Sequence, residues 1–359
     1  MTGVIIGKFL PLHDGHIFLI RSAFDKCDEV TVCVFGSKWE NIPAEQRAEA
    51  VRRCVPRNTS ERERLSVAWR DDCACDPYDE PTWNYWVSLT KELAPHADTL
   101  FTSEDYGNEF ARRLGMRHIM VDRERKARPI SGTICREQPM LHWEEIAPPL
   151  RGYFAKKVVL VGAESTGKTT LTERLAEHFH TAFVPETGRT WLECKGVGTG
   201  KQVCEPIDIL HIALAHQVAE REWAERCNGI LFMDTDLMVT AAFGAYYFGD
   251  DFPEVQEVVR MADAQARNYA FHLLCSADVP WDDDGTRDCT QADREWFNAR
   301  YEAEMRWRKQ PYVKLPADPE DAFREAVRAV ESLIDCNASP ANGTARSRIE
   351  PESRSDTIE

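Results

Sequence analysis

His13 and His16 stand three residues apart with Gly15 between them, just after the apolar run Val4-Ile5-Ile6. The stretch Gly7-Lys8-Phe9-Leu10-Pro11-Leu12-His13-Asp14-Gly15-His16 falls where a strand turns into a helix. Gly15 lets a phosphate come close, and two imidazole donors aimed at one phosphate stabilise charge that develops in a transition state. Metal binding by the pair would need a third ligand, and none is near in sequence. A second phosphate signature, Gly162-Ala163-Glu164-Ser165-Thr166-Gly167-Lys168-Thr169-Thr170, directly follows the apolar residues 158–161. Its chemistry is direct. Gly162 and Gly167 free the backbone N–H groups of the loop, from Glu164 through Thr170, to wrap phosphates at a helix N-terminus. Lys168 reaches the β- and γ-phosphates, and Thr169 offers a hydroxyl to magnesium.

Other residues extend each site. Ile230-Leu231-Phe232-Met233 reads as a strand ending in Asp234, the place of a Walker B carboxylate that helps hold Mg²⁺; the alternative is a helix cap. Val184-Pro185-Glu186-Thr187-Gly188-Arg189 follows the glycine-loop helix at the next strand end. Glu186 there is placed to hold or deprotonate a hydroxyl and Arg189 to position it, against the alternative of a surface ion pair. Asp236 is the second candidate for that base. In the polar loop 278–288, Arg287 is a candidate lid arginine and Trp281 a candidate stacking ring. In the first half, Ile130-Ser131-Gly132-Thr133-Ile134-Cys135-Arg136 follows a strand and opens a helix; Ser131 and Thr133 can cap it, and its N-terminus suits an anion.

The elements that must carry these residues alternate. Strands are predicted at 4–6, 30–35, 65–68, 99–101 and 118–121, with helices between them. After a predicted linker, Pro148-Pro149-Leu150-Arg151-Gly152, the alternation restarts. Strands are predicted at 157–161, 230–233, 271–274 and 311–315, and helices at 169–179, 206–226 and 319–334. The expected fold is α/β, two doubly wound parallel-sheet domains, a Rossmann-like one over 1–150 and a P-loop one over 151–336. Residues 337–359 hold almost nothing apolar and are expected to be a disordered tail.

With 359 residues the chain has room for two cores. A net charge of −16 argues against non-specific nucleic-acid binding, whose affinity comes from Lys and Arg. No run of 18 apolar residues is present, and no basic leader precedes the first strand, so a cytoplasmic location without membrane contact is expected. The 12 cysteines show no paired zinc spacing and are read as reduced thiols, with Cys73 and Cys75 a minor metal alternative.

GxFxPxHxGH followed by ISxTxxR resembles the signature of nucleotidyltransferases that adenylylate with ATP. Joined to the downstream GAESTGKTT half, the chain resembles the NadR-type bifunctional proteins over about residues 1–336. These fuse a nicotinamide mononucleotide adenylyltransferase to a ribosylnicotinamide kinase. The resemblance implies that His13 and His16 contact ATP phosphates alongside the Gly7-Lys8-Phe9 turn, and that Ser131, Thr133 and Arg136 hold the β/γ end. It implies that Trp83, or else Trp86, stacks on nicotinamide, and that Lys8 and Arg47 sit at phosphate positions. ATP and Mg²⁺ are the expected cofactors. The expected partners are nicotinamide riboside and its mononucleotide, with a homo-oligomer left open. Some NadR-type proteins begin with a helix-turn-helix domain; this chain opens on a strand, so DNA binding is not expected. The alternatives are a nucleotide-sensing regulatory protein with only one active half, or a different acceptor such as pantetheine phosphate.

Overall fold

The structure, a computed structural model, describes residues 1–71, 80–196, 203–279 and 290–338. The first half runs β1 (Thr2–Gly7), α1 (Asp14–Phe24), β2 (Glu29–Phe35), α2 (Ala44–Cys54), α3 (Thr59–Glu63), β3 (Leu65–Arg70), α4 (Glu80–Leu93), β4 (Thr99–Thr102), α5 (Gly107–Leu114), β5 (Arg117–Met120) and α6 (Gly132–Glu137). The second runs β6 (Lys156–Val161), α7 (Lys168–His178), β7 (Phe183–Val184), α8 (Thr187–Lys195), α9 (Pro206–Ala224), β8 (Ile230–Asp234), α10 (Leu237–Phe248), α11 (Pro253–Gln265), β9 (Tyr269–Leu274), α12 (Gln291–Trp307), β10 (Tyr312–Lys314) and α13 (Pro319–Ala338).

Each half forms a five-stranded sheet, in the orders β3-β2-β1-β4-β5 and β10-β9-β6-β8-β7, and every paired strand is parallel. The expected doubly wound α/β class is what forms. In each sheet the first strand lies at the centre, and the chain reverses its winding beside it. That reversal opens a crevice at the strands' carboxyl ends, where both glycine-containing turns emerge.

Alternation along the strands explains the layering. Val30, Val32 and Val34 of β2 join a core with Leu19, Ile20, Ala48 and Val51 of α1 and α2. Cys33 and Phe35, one residue out of step, join the opposite core with Leu89 and Phe110 of α4 and α5. Burial on both faces is what a parallel sheet between helices requires. In the second sheet Val159 and Leu231 face α9 and α12, whereas Val158 and Phe232 face α7 and α13.

The predicted linker is corrected. Residues Pro148–Tyr153 form a 3-10 helix in which Leu150 is 0% exposed and Arg151 9%. Leu150 packs into the first half's core. Trp143, just upstream, packs into the second half's core, and its Nε1 donates to the Cys227 carbonyl at 2.8 Å. Arg151 donates to the carbonyls of Ile146 and Glu225, and Arg53 of α2 makes two 2.7 Å bonds to the Glu225 carboxylate. Pro-Pro-x-x-Gly composition signals a break in regular structure, but the apolar side chains around it close a seam.

Helices α10 and α11 were not anticipated. Helix α10, Leu-Met-Val-Thr-Ala-Ala-Phe-Gly-Ala-Tyr-Tyr-Phe, buries seven residues and is apolar all round, so no amphipathic period betrays it. Helix α13 runs to Ala338, past the predicted start of the tail, and the rest of that tail lies outside the described residues. Trp281, Arg287, Cys73 and Cys75 lie outside them too. The described cysteines are all free thiols, and no helix among the described residues is long and apolar enough to cross a membrane.

Candidate active sites

A cavity of ≈ 500 Å³ opens at the carboxyl ends of β1, β4 and β5. The β1–α1 turn forms one wall. His13 caps α1, its Nδ1 accepting the Gly15 N–H at 3.1 Å. The His13 and His16 rings stack 3.8 Å apart, and Phe9 meets His16 edge-on at 4.9 Å. Both histidines line the cavity. Burial first, then Arg125 and Arg136, holds His13 down to about 4. Burial, His13 and Arg125 hold His16 well below the usual imidazole range. The rings are therefore neutral near pH 7 and act there as hydrogen-bonding groups rather than cations.

This has a measurable consequence. Above pH 6.5 the ring of His13 is neutral in both folded and unfolded chains. As pH falls from about 6.5 to about 4, the unfolded chain takes up a proton that the folded one refuses. Folding should lose about 3 kcal/mol across that window through His13. His13→Asn, which keeps a capping side chain, should flatten the loss. Urea unfolding at pH 7 and pH 5 reads it; equal slopes in wild type and variant would contradict it.

Ser131 accepts the Ile134 N–H at 3.3 Å and so caps α6. A Cβ on Gly132 would lie 2.7 Å from the Leu10 carbonyl oxygen, so only glycine lets this turn approach the β1–α1 turn. Arg136 bridges the same two turns, donating to the Leu10 carbonyl and, at 3.2 Å, to the Thr133 hydroxyl. Gly7, Lys8, Phe9, Ser131, Thr133 and Arg136 all line the cavity, as do Trp83 and Trp86. Trp83 lies 5.7 Å from Phe110 with the Arg113 guanidinium 5.0 Å from its ring, and Trp86 meets Phe35 edge-on at 4.5 Å.

Arg47 is corrected. It is 0% exposed and its donors are committed: to the carbonyls of Lys8, Phe35 and Pro43, and at 2.7 Å to Glu40. It therefore braces the backbone of the phosphate turn from behind instead of touching a phosphate. Lys8, paired with the same Glu40 at 2.9 Å, is largely exposed and lines the cavity.

Arg125 and Arg128 also line the cavity and were missed. Asp122 stations them: its carboxylate accepts backbone N–H groups of Lys126, Ala127 and Arg128. The usable signal was the basic run Arg123 to Arg128 just ahead of the Ile-Ser-Gly-Thr turn.

In the second half the loop 162–167 leaves β6 and enters α7. Ser165 has φ 63° and Gly167 φ 79°, the left-handed turns that point successive N–H groups inward. A Cβ on Gly162 would sit 2.9 Å from the Thr166 hydroxyl. Thr166 spends that hydroxyl on the Ala163 carbonyl at 2.8 Å, so its side chain shapes the loop. Lys168 donates to the same carbonyl at 2.8 Å. Asn298 of α12 accepts the Ala163 N–H at 2.9 Å and donates to the Cys275 carbonyl, tying the loop to the end of β9. Nothing in a charged helical segment marked it beforehand.

Thr169 donates to Asp234 Oδ2 at 2.5 Å, while Asp234 Oδ1 is buried without a partner. Burial raises the Asp234 carboxyl despite Thr169 and Lys168, which pull the other way. A buried carboxylate with an orphan oxygen beside a hydroxyl fits a divalent cation. Glu186 and Arg189 pair at 3.1 Å and lie near enough to Asp234 to act on its charge. Thr170 and Gly167 are exposed, and Glu164 is partly so.

Asp236 is corrected. It is 1% exposed, caps α10 through the Val239 N–H at 3.0 Å, and pairs with buried His272 at 3.1 Å. Burial would raise its carboxyl, but His272 and the cap overcome that and lower it. It organises the end of β8 and leaves Glu186 as the base candidate.

Comparison with known proteins joins the two sites. A cytidylyltransferase-like family matches residues 4–138, and an AAA domain family matches 157–322. The trifunctional NAD biosynthesis/regulator protein NadR of Escherichia coli is 28% identical over 349 residues, 92% of this chain and 83% of its own length. This chain is a relative of NadR in both of its halves. The nicotinamide-nucleotide adenylyltransferase of Thermococcus onnurineus matches 44% of the chain at 25% identity and is covered over 82% of its length. A crystal structure of NadR with NR superposes with a TM-score of 0.71 at 22% identity, covering 96% of this chain and 98% of NadR. A second, with NAD and AMP-PNP, gives 0.69, covering 98% of each. The NadR fold thus spans both sheets and the seam between them.

Proposed function

We propose that the chain is a bifunctional transferase of NAD biosynthesis, working in the cytoplasm on small-molecule substrates, with an adenylyltransferase at 1–150 and a kinase at 151–336. The observation that carries the reading is that one chain similar to NadR over 92% of its length holds two separate glycine turns, each at the carboxyl edge of its own sheet.

In the kinase half the γ-phosphoryl of ATP passes to the 5′-hydroxyl of nicotinamide riboside. Lys168 leaves the Ala163 carbonyl for the β- and γ-phosphates. Glu186 takes the hydroxyl proton, and Arg189 orients the acceptor. Thr169 and Asp234 would hold Mg²⁺, which neutralises phosphate charge. In the first half a phosphate oxygen of the mononucleotide attacks the α-phosphorus of ATP. That bond forms as the bond to the bridging oxygen breaks, and pyrophosphate leaves with the electron pair. His13 and His16 donate neutral hydrogen bonds to the phosphates. Arg136, with Arg125 and Arg128, balances the charge on the leaving group. Catalysis is positioning and charge stabilisation, with no covalent enzyme intermediate.

The test is incubation with ATP, Mg²⁺ and either riboside or mononucleotide, with products identified by mass. Riboside should give mononucleotide and then NAD; mononucleotide should give NAD and pyrophosphate. Tight nucleotide binding without either product would favour the regulatory alternative.

A further inference from the structure

Helix α8 is held in an unusual way. It follows Glu186 and carries Arg189, yet buries none of its residues. Its hydrogen bonds to α9 run from its first residue to its last. At its start, Thr187 Oγ1 lies 3.4 Å from Nδ1 of buried His216. From its middle, Trp191 Nε1 donates to Asp208 Oδ1 at 3.1 Å, and from its last residue Lys195 donates to Asp208 Oδ2 at 2.6 Å. Asp208 also accepts the Glu205 N–H at 2.8 Å, completing the capping box of α9. It is 2% exposed, with Trp191 and Lys195 of α8 closing over both of its oxygens. Apolar and ring contacts add to these bonds: the Trp191 ring lies 5.0 Å from that of His211 in α9, and the Cβ position of Gly188 is 3.7 Å from Ile212.

With no fully buried side chain, the helix depends on these bonds for its place, the Trp191–His211 contact adding to them. A helix of nine residues has little stability of its own. Charge-assisted bonds to a buried acceptor are the strong kind. We propose that Asp208 is a positioning residue for the phosphoryl acceptor, pinning α8 so that Glu186 and Arg189 stand opposite Asp234. This rests on the kinase reading above. It assigns Asp208, Lys195 and Trp191 a role in acceptor placement and none in ATP binding, because the 162–167 loop is tied to α12 and β9 instead.

The experiment uses the full chain and two variants, Asp208→Asn and the milder Trp191→Phe, with two readouts. Amide hydrogen exchange over 187–195 should accelerate about tenfold in Asp208→Asn while the sheet amides keep wild-type protection. In steady-state kinase assays the KM for riboside should rise about tenfold in Asp208→Asn and less in Trp191→Phe, with the KM for ATP and adenylyl transfer within about twofold of wild type. Unchanged exchange in both variants would overturn the pin. Faster exchange with an unchanged riboside KM, or an equal rise in both KM values, would overturn the positioning role. Wild type is assayed first: if it phosphorylates no riboside, the kinase reading fails and with it the acceptor role, whereas the exchange arm still judges the pin.

Discussion

Lys168→Ala should abolish riboside phosphorylation, by at least about 10³-fold, and leave adenylyl transfer to added mononucleotide within about twofold of wild type. Lys168 Nζ sits 2.8 Å from the Ala163 carbonyl, inside the phosphate loop. Its removal takes a full positive charge from the place where the transferred phosphoryl develops negative charge. The rest of the loop stays shaped by Thr166 and Asn298. The histidine site belongs to the other sheet and draws no residue from α7. Separate assays with riboside and mononucleotide decide it. Loss of both activities in a variant that melts with wild type would remove the two-site reading.

His16→Ala should lower adenylyl transfer roughly 10²–10³-fold, the scale for losing one preorganised donor to a developing oxyanion. The kinase should be untouched. The ring stacks on His13 at 3.8 Å and meets Phe9 at 4.9 Å, so its loss also loosens the wall beside the phosphate. His16→Asn, which returns a donor to a similar place, should recover part of the rate. If His16→Ala stays within about threefold of wild type, the pair is packing and the phosphate is held elsewhere.

Much of this was legible because phosphate chemistry leaves local marks. A glycine turn after an apolar run marks both candidate sites, and the parallel sheets follow from the alternation. What escaped was non-local. Arg47 looks like a phosphate ligand in one dimension; only the fold shows its guanidinium turned inward among the carbonyls of Lys8, Phe35 and Pro43. Asp236 is two residues from Asp234, but the cap of α10 and a histidine 36 positions away claim it. Asn298 reaches the glycine loop from a distant helix, with no motif around it to advertise the contact.

The seam at Trp143 bears on how such a chain can be divided. Residues 148–152 read as a linker in the sequence, yet Leu150 among them sits in one core while the indole of Trp143, just upstream, sits in the other. A cut at residue 150 would strand an aromatic plug on the fragment that has no socket for it, and open a hole beside Cys227 and Gly229 in the fragment that has. Filling such a socket is worth about 3–5 kcal/mol for a large aromatic. Point mutations should separate the two proposed activities, but the halves themselves are moulded to each other. A workable split, or a graft of either half onto another partner, would have to carry the 139–155 segment whole and supply a matching surface for it.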